Sequence, residues 1–444
     1  MASQLVTSLR KWFIMSNSSS AIPNSKRSRL TVLGKTAVNV GAQKLNYQLK
    51  KTFQSEQRAE LLKHEMDEKV AKEIFSALSK MKGLAIKFAQ FLSLENHSFL
   101  PPAFQNELAK AHYQVSPINQ ALIRKIIHAE LGDYPEQLFD SFDLKPIAAA
   151  SIGQVHRATL KSGEPVVIKV QYPGIDQSIM ADLSLLKILI KSVPMLKNIR
   201  DNKIIDDIIA ELEFMLPQEV DYSLEFRHGE YFRSIIDTDV FFVPKYYAEF
   251  STKHVLCMDY VDGLHLPDWL ETEPDQALKN HYAQIIFDFQ LNCLLDYKMI
   301  HADPNFGNFF IMNDGRVGLV DFGCVRKIES DFAQFLPVIL RAYRDQLWQT
   351  AWDTYGQLGM TAKGSNYPQE LEALGEWISR PYCCDVFDFK ENAHYLDETP
   401  AQFDVLNHFK SMHPNYVFFT RWHMGLYRMA MTMDASMSMS AMLL

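Results

Sequence analysis

His301-Ala302-Asp303-Pro304-Asn305-Phe306-Gly307-Asn308 is followed, one turn later, by Asp321-Phe322-Gly323. The pattern is HxDxxxxN and then DFG. Phosphoryl transfer asks little covalent work of a protein and much placement of charge: a carboxylate near the attacking oxygen, and an amide and a second carboxylate on metal ions. Asp303, Asn308 and Asp321 supply that set. Any one Asp alone reads as a loop cap, and DFG alone is weak. The combination is stronger because residues 309–312 and 317–320 flank the turn Asn313-Asp314-Gly315-Arg316. A hairpin there should bring Asp321 back beside Asn308.

Upstream, Val166-Val167-Ile168-Lys169 reads as a strand whose alternation points the lysine inward, where it can reach the α- and β-phosphates of a nucleotide. Ahead of it, Ala148-Ala149-Ala150-Ser151-Ile152-Gly153-Gln154-Val155 fits GxGxxGxV with alanine at the first two glycine positions. Each added Cβ disfavours positive φ, so this phosphate loop should be stiffer than a glycine-rich one. Residues 154–159 and 165–171 around Lys161-Ser162-Gly163-Glu164 read as a β-hairpin. The lysine needs a carboxylate partner, and Glu219-Val220-Asp221-Tyr222-Ser223-Leu224-Glu225 offers three. One helix is expected from 203 to 231, strands at 241–243 and 255–261, and a long helix at 276–297. Met258, Asp259 and Val261 occupy a hinge-like connection, with Met258 at a gatekeeper position and backbone groups facing adenine.

These motifs make the chain resemble the UbiB-like, aarF-domain family of atypical protein-kinase-like proteins, from about Arg29 to the C-terminus. Specific to that family are the KxGQ motif, within Met81-Lys82-Gly83-Leu84-Ala85-Ile86-Lys87-Phe88-Ala89-Gln90, the Ala-rich loop, and the ExD motif at Glu219 and Asp221. The resemblance implies an α+β, two-lobed kinase-like fold with a helical N-terminal extension packed over the active site. It implies that Lys87 reaches the nucleotide pocket and meets Glu219 and Asp221, which leaves Glu225 for Lys169. It further implies ATP and Mg²⁺ as cofactors and a role in ubiquinone biosynthesis. One departure is Ala89, where the family has glycine: a helix tolerates alanine better, but the extra methyl affects how Gln90 is placed. The expected organisation is a basic tail (1–28), the helical extension (29–145), a nucleotide lobe (146–262) and a mainly helical second lobe (263–444).

The 444 residues are 47% hydrophobic and 22% charged, which excludes a disordered or fibrous chain. Five cysteines, two of them adjacent at Cys383 and Cys384, form no disulfide framework or CxxC zinc pattern. Nine Lys or Arg precede the first acid, Glu56, so the net charge of −8 hides a body carrying −17. An acidic body argues against nucleic acid, and the basic arm suits an anionic membrane surface, a solvated tail or a transit peptide. No uncharged apolar run of 18 residues exists, so membrane contact is expected to be peripheral. Gly34-Lys35-Thr36 imitates the end of a P-loop, but Arg29 stands where its first glycine is required.

No APE motif follows Asp321-Phe322-Gly323, so a docked protein substrate is disfavoured. The expectation is an ATPase or small-molecule or lipid kinase in which Lys169 positions phosphates, Asn308 and Asp321 hold Mg²⁺, Asp303 orients the attacking group and Lys87 gates access. Its partners would be a nucleotide, ubiquinone precursors or other isoprenoid lipids, and ubiquinone-biosynthesis proteins. A nucleotide-binding scaffold with negligible turnover and a protein kinase acting in trans are the alternatives. The expected location is a bacterial cytoplasm at the inner membrane, with the matrix side of the mitochondrial inner membrane as the alternative.

Overall fold

The computed structural model describes residues 118–149, 152–192, 203–301, 306–398 and 402–440, and single positions between 39 and 73. Lys87, Gln90, Ala150, Ser151 and Asp303 lie outside the described residues. So does most of the expected extension. Val70, from its amphipathic pattern, is described and is buried in the main core cluster.

In the first lobe, strands β1 (Ser141–Phe142), β2 (Ala148–Ala149), β3 (Gly153–Thr159), β4 (Pro165–Gln171), β5 (Phe241–Phe242) and β6 (Val255–Asp259) follow one another. All but β5 form one sheet, ordered β1-β3-β4-β6 with β2 also on β3. The β3–β4 hairpin forms where the alternation predicts it, and its antiparallel register sets Val155 opposite Lys169. Period two then sorts the strands by face. Val166, Ile168 and Val170 of β4, with Val255 and Cys257 of β6, face one cluster, whereas Val167, Leu256 and Met258 face the main core.

Helix α1 (Gln120–Leu131) covers the first of those faces. Asn119 caps it, accepting from the Ala121 N–H at 2.8 Å, and Gly132 ends it at φ 89°. Ile123 and Ile127 are fully buried there; each contributes about 1.5–3 kcal/mol by leaving water. The sheet lobe therefore draws in residues ahead of position 146.

Helices α2 (Ile175–Ser192), α3 (Lys203–Glu219) and α4 (Tyr222–Ile235) follow β4. The single helix expected from 203 to 231 is thus two. Pro217 withholds an N–H in the last turn of α3, and Asp221 restarts the chain as the cap of α4, its side chain accepting from the Ser223 N–H at 3.0 Å.

The second lobe opens with β7 (Gly263–His265), then α5 (Gln276–Leu295), β8 (Met299–His301), β9 (Phe309–Met312), β10 (Val317–Leu319) and β11 (Val325–Lys327). The β9–β10 hairpin pairs Leu319 with Phe309, and β8 pairs with β11 across the DFG turn. A Cβ on Gly263 would lie 2.6 Å from the Ile311 carbonyl oxygen, so only glycine lets β7 approach β9. Helices α6 (Ser330–Arg344), α7 (Trp348–Gln357), α8 (Glu370–Ser379) and α9 (Pro414–Thr432) complete the lobe around a core rich in aromatic residues.

Candidate active site

Lys169 leaves the core-facing side of β4 and lies almost wholly buried. Its Nζ donates to Glu225 Oε1 at 3.0 Å and Oε2 at 2.8 Å, and sits 3.5 Å from Asp321 Oδ2. Of the three acids on offer, Glu225 is the one the fold brings to Lys169. Asp221 is engaged as the α4 cap, while buried Glu219 ends α3.

Burial acts most strongly on both partners. It works to lower the Lys169 ammonium, yet Asp321 and Glu225 together raise it well above the ordinary lysine range. The same burial pushes the Glu225 carboxyl up to about 7, against the downward pull of Lys169 and with the help of Asp321. Lys169 therefore stays charged between two acids.

Asp321 adopts φ 61°, a left-handed backbone that Asp tolerates better than most residues, and its Oδ1 accepts from the Gly323 N–H at 3.3 Å. His301, the histidine of HxD, holds the turn through Nε2, 2.9 Å from the Asp321 carbonyl oxygen. His228 of α4 does the same at the Phe322 carbonyl, Nδ1 to oxygen 3.1 Å. The Phe322 ring stacks on Phe232 of α4 at 5.0 Å and meets His301 edge-on at 5.3 Å. The Val320 N–H donates to the Asn308 carbonyl at 3.1 Å, so the hairpin brings Asn308 next to the DFG segment.

One face of α4 organises the site. Tyr222, Glu225, Gly229 and Phe232 are its buried residues, spaced at i, i+3, i+7 and i+10. Glu225 meets Lys169, and Phe232 meets Phe322. Tyr222 lies under the Lys169 ammonium, 5.1 Å from Nζ to the ring centroid. Gly229 seats on the ring of Tyr246, where a Cβ would lie 2.5 Å from the hydroxyl oxygen and closer still to two ring carbons.

Ala148 and Ala149 of the Ala-rich loop form β2, paired with Val155 and Gln154, so this end of the loop is extended. A Cβ on Gly153 would lie 2.5 Å from the Val170 carbonyl oxygen and 2.8 Å from the Tyr222 hydroxyl. Met258 is buried one residue before the end of β6, and Val261 packs against Gly318. The Asp259 carboxylate accepts from the Lys245 N–H and the Tyr247 hydroxyl, and the Asp259 N–H donates to the Lys245 carbonyl at 3.0 Å. His301, His228 and Phe232 hold the turn without belonging to the charged set that the motifs define. Their signals were the first letter of HxD and the spacing from Glu225 along α4.

A sheet lobe carrying a lysine–glutamate pair, joined to a helical lobe carrying the DFG turn, is the architecture of a kinase-like protein. The chain matches the family model of the ABC1 atypical kinase-like domain over residues 110–348; it belongs to that family. It is 31% identical over 326 residues to "Atypical kinase COQ8B, mitochondrial" of Danio rerio, covering 72% of this chain and 51% of the relative. It is 32% identical over 324 residues to "Atypical kinase COQ8, mitochondrial" of Saccharomyces cerevisiae, covering 71% and 62%. A Dictyostelium discoideum protein, "Probable serine/threonine-protein kinase abkA", is 30% identical over 70% of this chain and 57% of its own length. The chain thus spans between half and two thirds of these relatives. Among solved structures, Rv3197 of Mycobacterium tuberculosis in complex with erythromycin aligns with a TM-score of 0.58 at 23% identity, over 86% of this chain and 97% of that one. That likeness concerns the fold.

Proposed function

We propose that the protein is an atypical kinase-like ATPase, or small-molecule or lipid kinase, that binds MgATP and supports ubiquinone biosynthesis. The observation that carries this reading is the buried Lys169 held between Glu225 and Asp321 on a DFG turn anchored by His301 and His228. Such an assembly keeps a positive charge fixed where phosphate oxygens need it. Two names among the relatives, atypical kinase COQ8 and COQ8B, support the pathway.

The donor set suits MgATP. Lys169 would orient the α- and β-phosphates, with the Ala-rich loop above them and the backbone around Met258, Asp259 and Val261 facing adenine. Among the described residues no three His, Cys, Asp or Glu side chains converge as a metal site, so Asn308 and Asp321 would share Mg²⁺ with the phosphates. The bound ion would supply charge neutralisation of the transferring phosphoryl group. Asp303 would orient water or an acceptor hydroxyl, and Lys87, with Gln90, Glu219 and Asp221, would control access. Among the described residues no helix is long and apolar enough to cross a membrane. The mitochondrial names of the relatives favour the matrix side of the inner membrane over a bacterial inner membrane, with peripheral contact.

The test is MgATP binding and turnover by the purified chain, with and without anionic liposomes and a phenol resembling a ubiquinone precursor. Turnover should rise with lipid or phenol and vanish in Asp321→Asn. Equal turnover in that variant would refute the reading, and binding without turnover under every condition would make the protein a regulatory scaffold.

A further inference from the structure

The Tyr222 side chain is 1% exposed, and among the described residues its hydroxyl has no hydrogen-bond partner. A buried hydroxyl without a partner forfeits its hydration and gains nothing in return, so native proteins rarely keep one without a use. Both ends of this side chain touch parts of the site. The ring face supports the Lys169 ammonium at 5.1 Å. The hydroxyl points at Gly153, where a Cβ would lie 2.8 Å away, at the end of the Ala-rich loop. Tyr222 also opens α4, so the backbone that bears it is held by the Asp221 cap and by its own N–H, which donates to the Lys253 carbonyl at 3.0 Å.

The nearby carboxylates do not use the hydroxyl: Glu225 accepts from Lys169, and the Asp321 carboxylate from Lys169 and the Gly323 N–H. Burial holds the phenol protonated far above its ordinary range. It is therefore a donor, fixed in place beside a cation and a loop of phosphate-binding pattern. The partner that suits a fixed donor next to a fixed cation is an anionic oxygen.

We propose that Tyr222 is a phosphate-contacting residue, its hydroxyl donating a hydrogen bond to a phosphate oxygen of the bound nucleotide between Gly153 and Lys169. The inference rests on the nucleotide-binding reading above. A side chain at position 153 would meet the hydroxyl as well as the nearer Val170 carbonyl oxygen.

Calorimetric titration of the intact chain with the Mg²⁺ complex of a non-hydrolysable ATP analogue, and separately with adenosine, tests it in wild type and Tyr222→Phe. Thermal unfolding without nucleotide is run in parallel. A hydrogen bond to a charged group is worth about 10- to 100-fold in affinity, so the analogue should bind Tyr222→Phe weaker by that factor. Adenosine, lacking phosphates, should bind both proteins equally. The nucleotide-free variant should melt at or above the wild-type temperature, because phenylalanine keeps the ring and removes the unpartnered hydroxyl. Equal analogue affinity in the two proteins overturns the proposal and leaves the nucleotide site standing. Equal weakening of analogue and adenosine with a lower melting temperature also overturns it, as the mark of a packing role. A wild-type chain that binds neither ligand overturns the nucleotide reading and this proposal together.

Discussion

Gly229→Ala sets two effects of known sign against each other. In an unencumbered helix interior, alanine is better than glycine by about 1 kcal/mol. At Gly229 the new methyl would lie 2.5 Å from the Tyr246 hydroxyl oxygen, with two ring carbons nearer still. Tyr246 cannot swing aside, since it is 4% exposed and packs edge-on against Phe226 at 5.6 Å. Overpacking of this kind costs about 1–3 kcal/mol. The net is a loss of up to about 2 kcal/mol, which lowers the melting temperature by up to about 4–8 °C for a domain of this order of size. The relief open to the helix is to tilt away from Tyr246, and that movement carries Glu225 from Lys169. Nucleotide affinity should therefore fall in the same variant. Differential scanning fluorimetry and MgATP titration read both effects. A variant that melts higher than wild type, as helix propensity alone would have it, and binds nucleotide unchanged would show that α4 is not seated on Tyr246 in the way described.

Lys169→Met leaves Glu225 buried without its cation, a change worth about 3–5 kcal/mol of stability when a buried pair is broken. Removing Lys169 also removes the pull that holds the buried Glu225 carboxyl down to about 7, so the carboxyl rises further. The folded variant then holds a proton that the unfolded chain releases above about 4.5, so its stability should fall as pH rises through the neutral range. Urea midpoints measured from pH 5 to 8 check the sign, and a midpoint that climbs with pH would contradict it. A second pH effect concerns His423, fully packed in the second lobe with Nε2 2.6 Å from the Tyr382 hydroxyl. Burial depresses its imidazolium to about 3 from the ordinary 6.5. The unfolded chain binds that proton first as the solution is acidified. Stability should drop by about 1.4 kcal/mol per pH unit below 6.5, roughly 3 kcal/mol by about pH 4. His423→Gln, which keeps an acceptor for Tyr382, should flatten that acid limb; an unchanged slope would place the effect elsewhere.

The ease with which each part of the site could be read follows the distance over which its determinants act. The HxDxxxxN and DFG segments are bound together by a hairpin whose turn residues lie between them, so local spacing was enough to place Asn308 beside the DFG segment. Lys169 was legible for the same reason, because strand alternation assigns its face. The choice among Glu219, Asp221 and Glu225 was harder. It turns on where α3 stops and α4 starts, and apolar periodicity runs through that junction almost unbroken. Pro217 and the cap at Asp221 were the available signals. Once α4 is phased from Tyr222, Glu225 must share a face with Gly229 and Phe232, and the partner of Lys169 follows. What the chain could not announce are contacts between residues far apart: α1 covering the outer face of the sheet, Gly229 on Tyr246, and the Tyr222 hydroxyl at Gly153. Each is a meeting of surfaces that no single segment encodes. Glycines are the exception that could have pointed to them. Gly153 and Gly229 stand in a strand and a helix, where glycine weakens the element; the room of a side chain is taken at Gly229 by the Tyr246 ring, and at Gly153 by the Val170 carbonyl oxygen together with the Tyr222 hydroxyl.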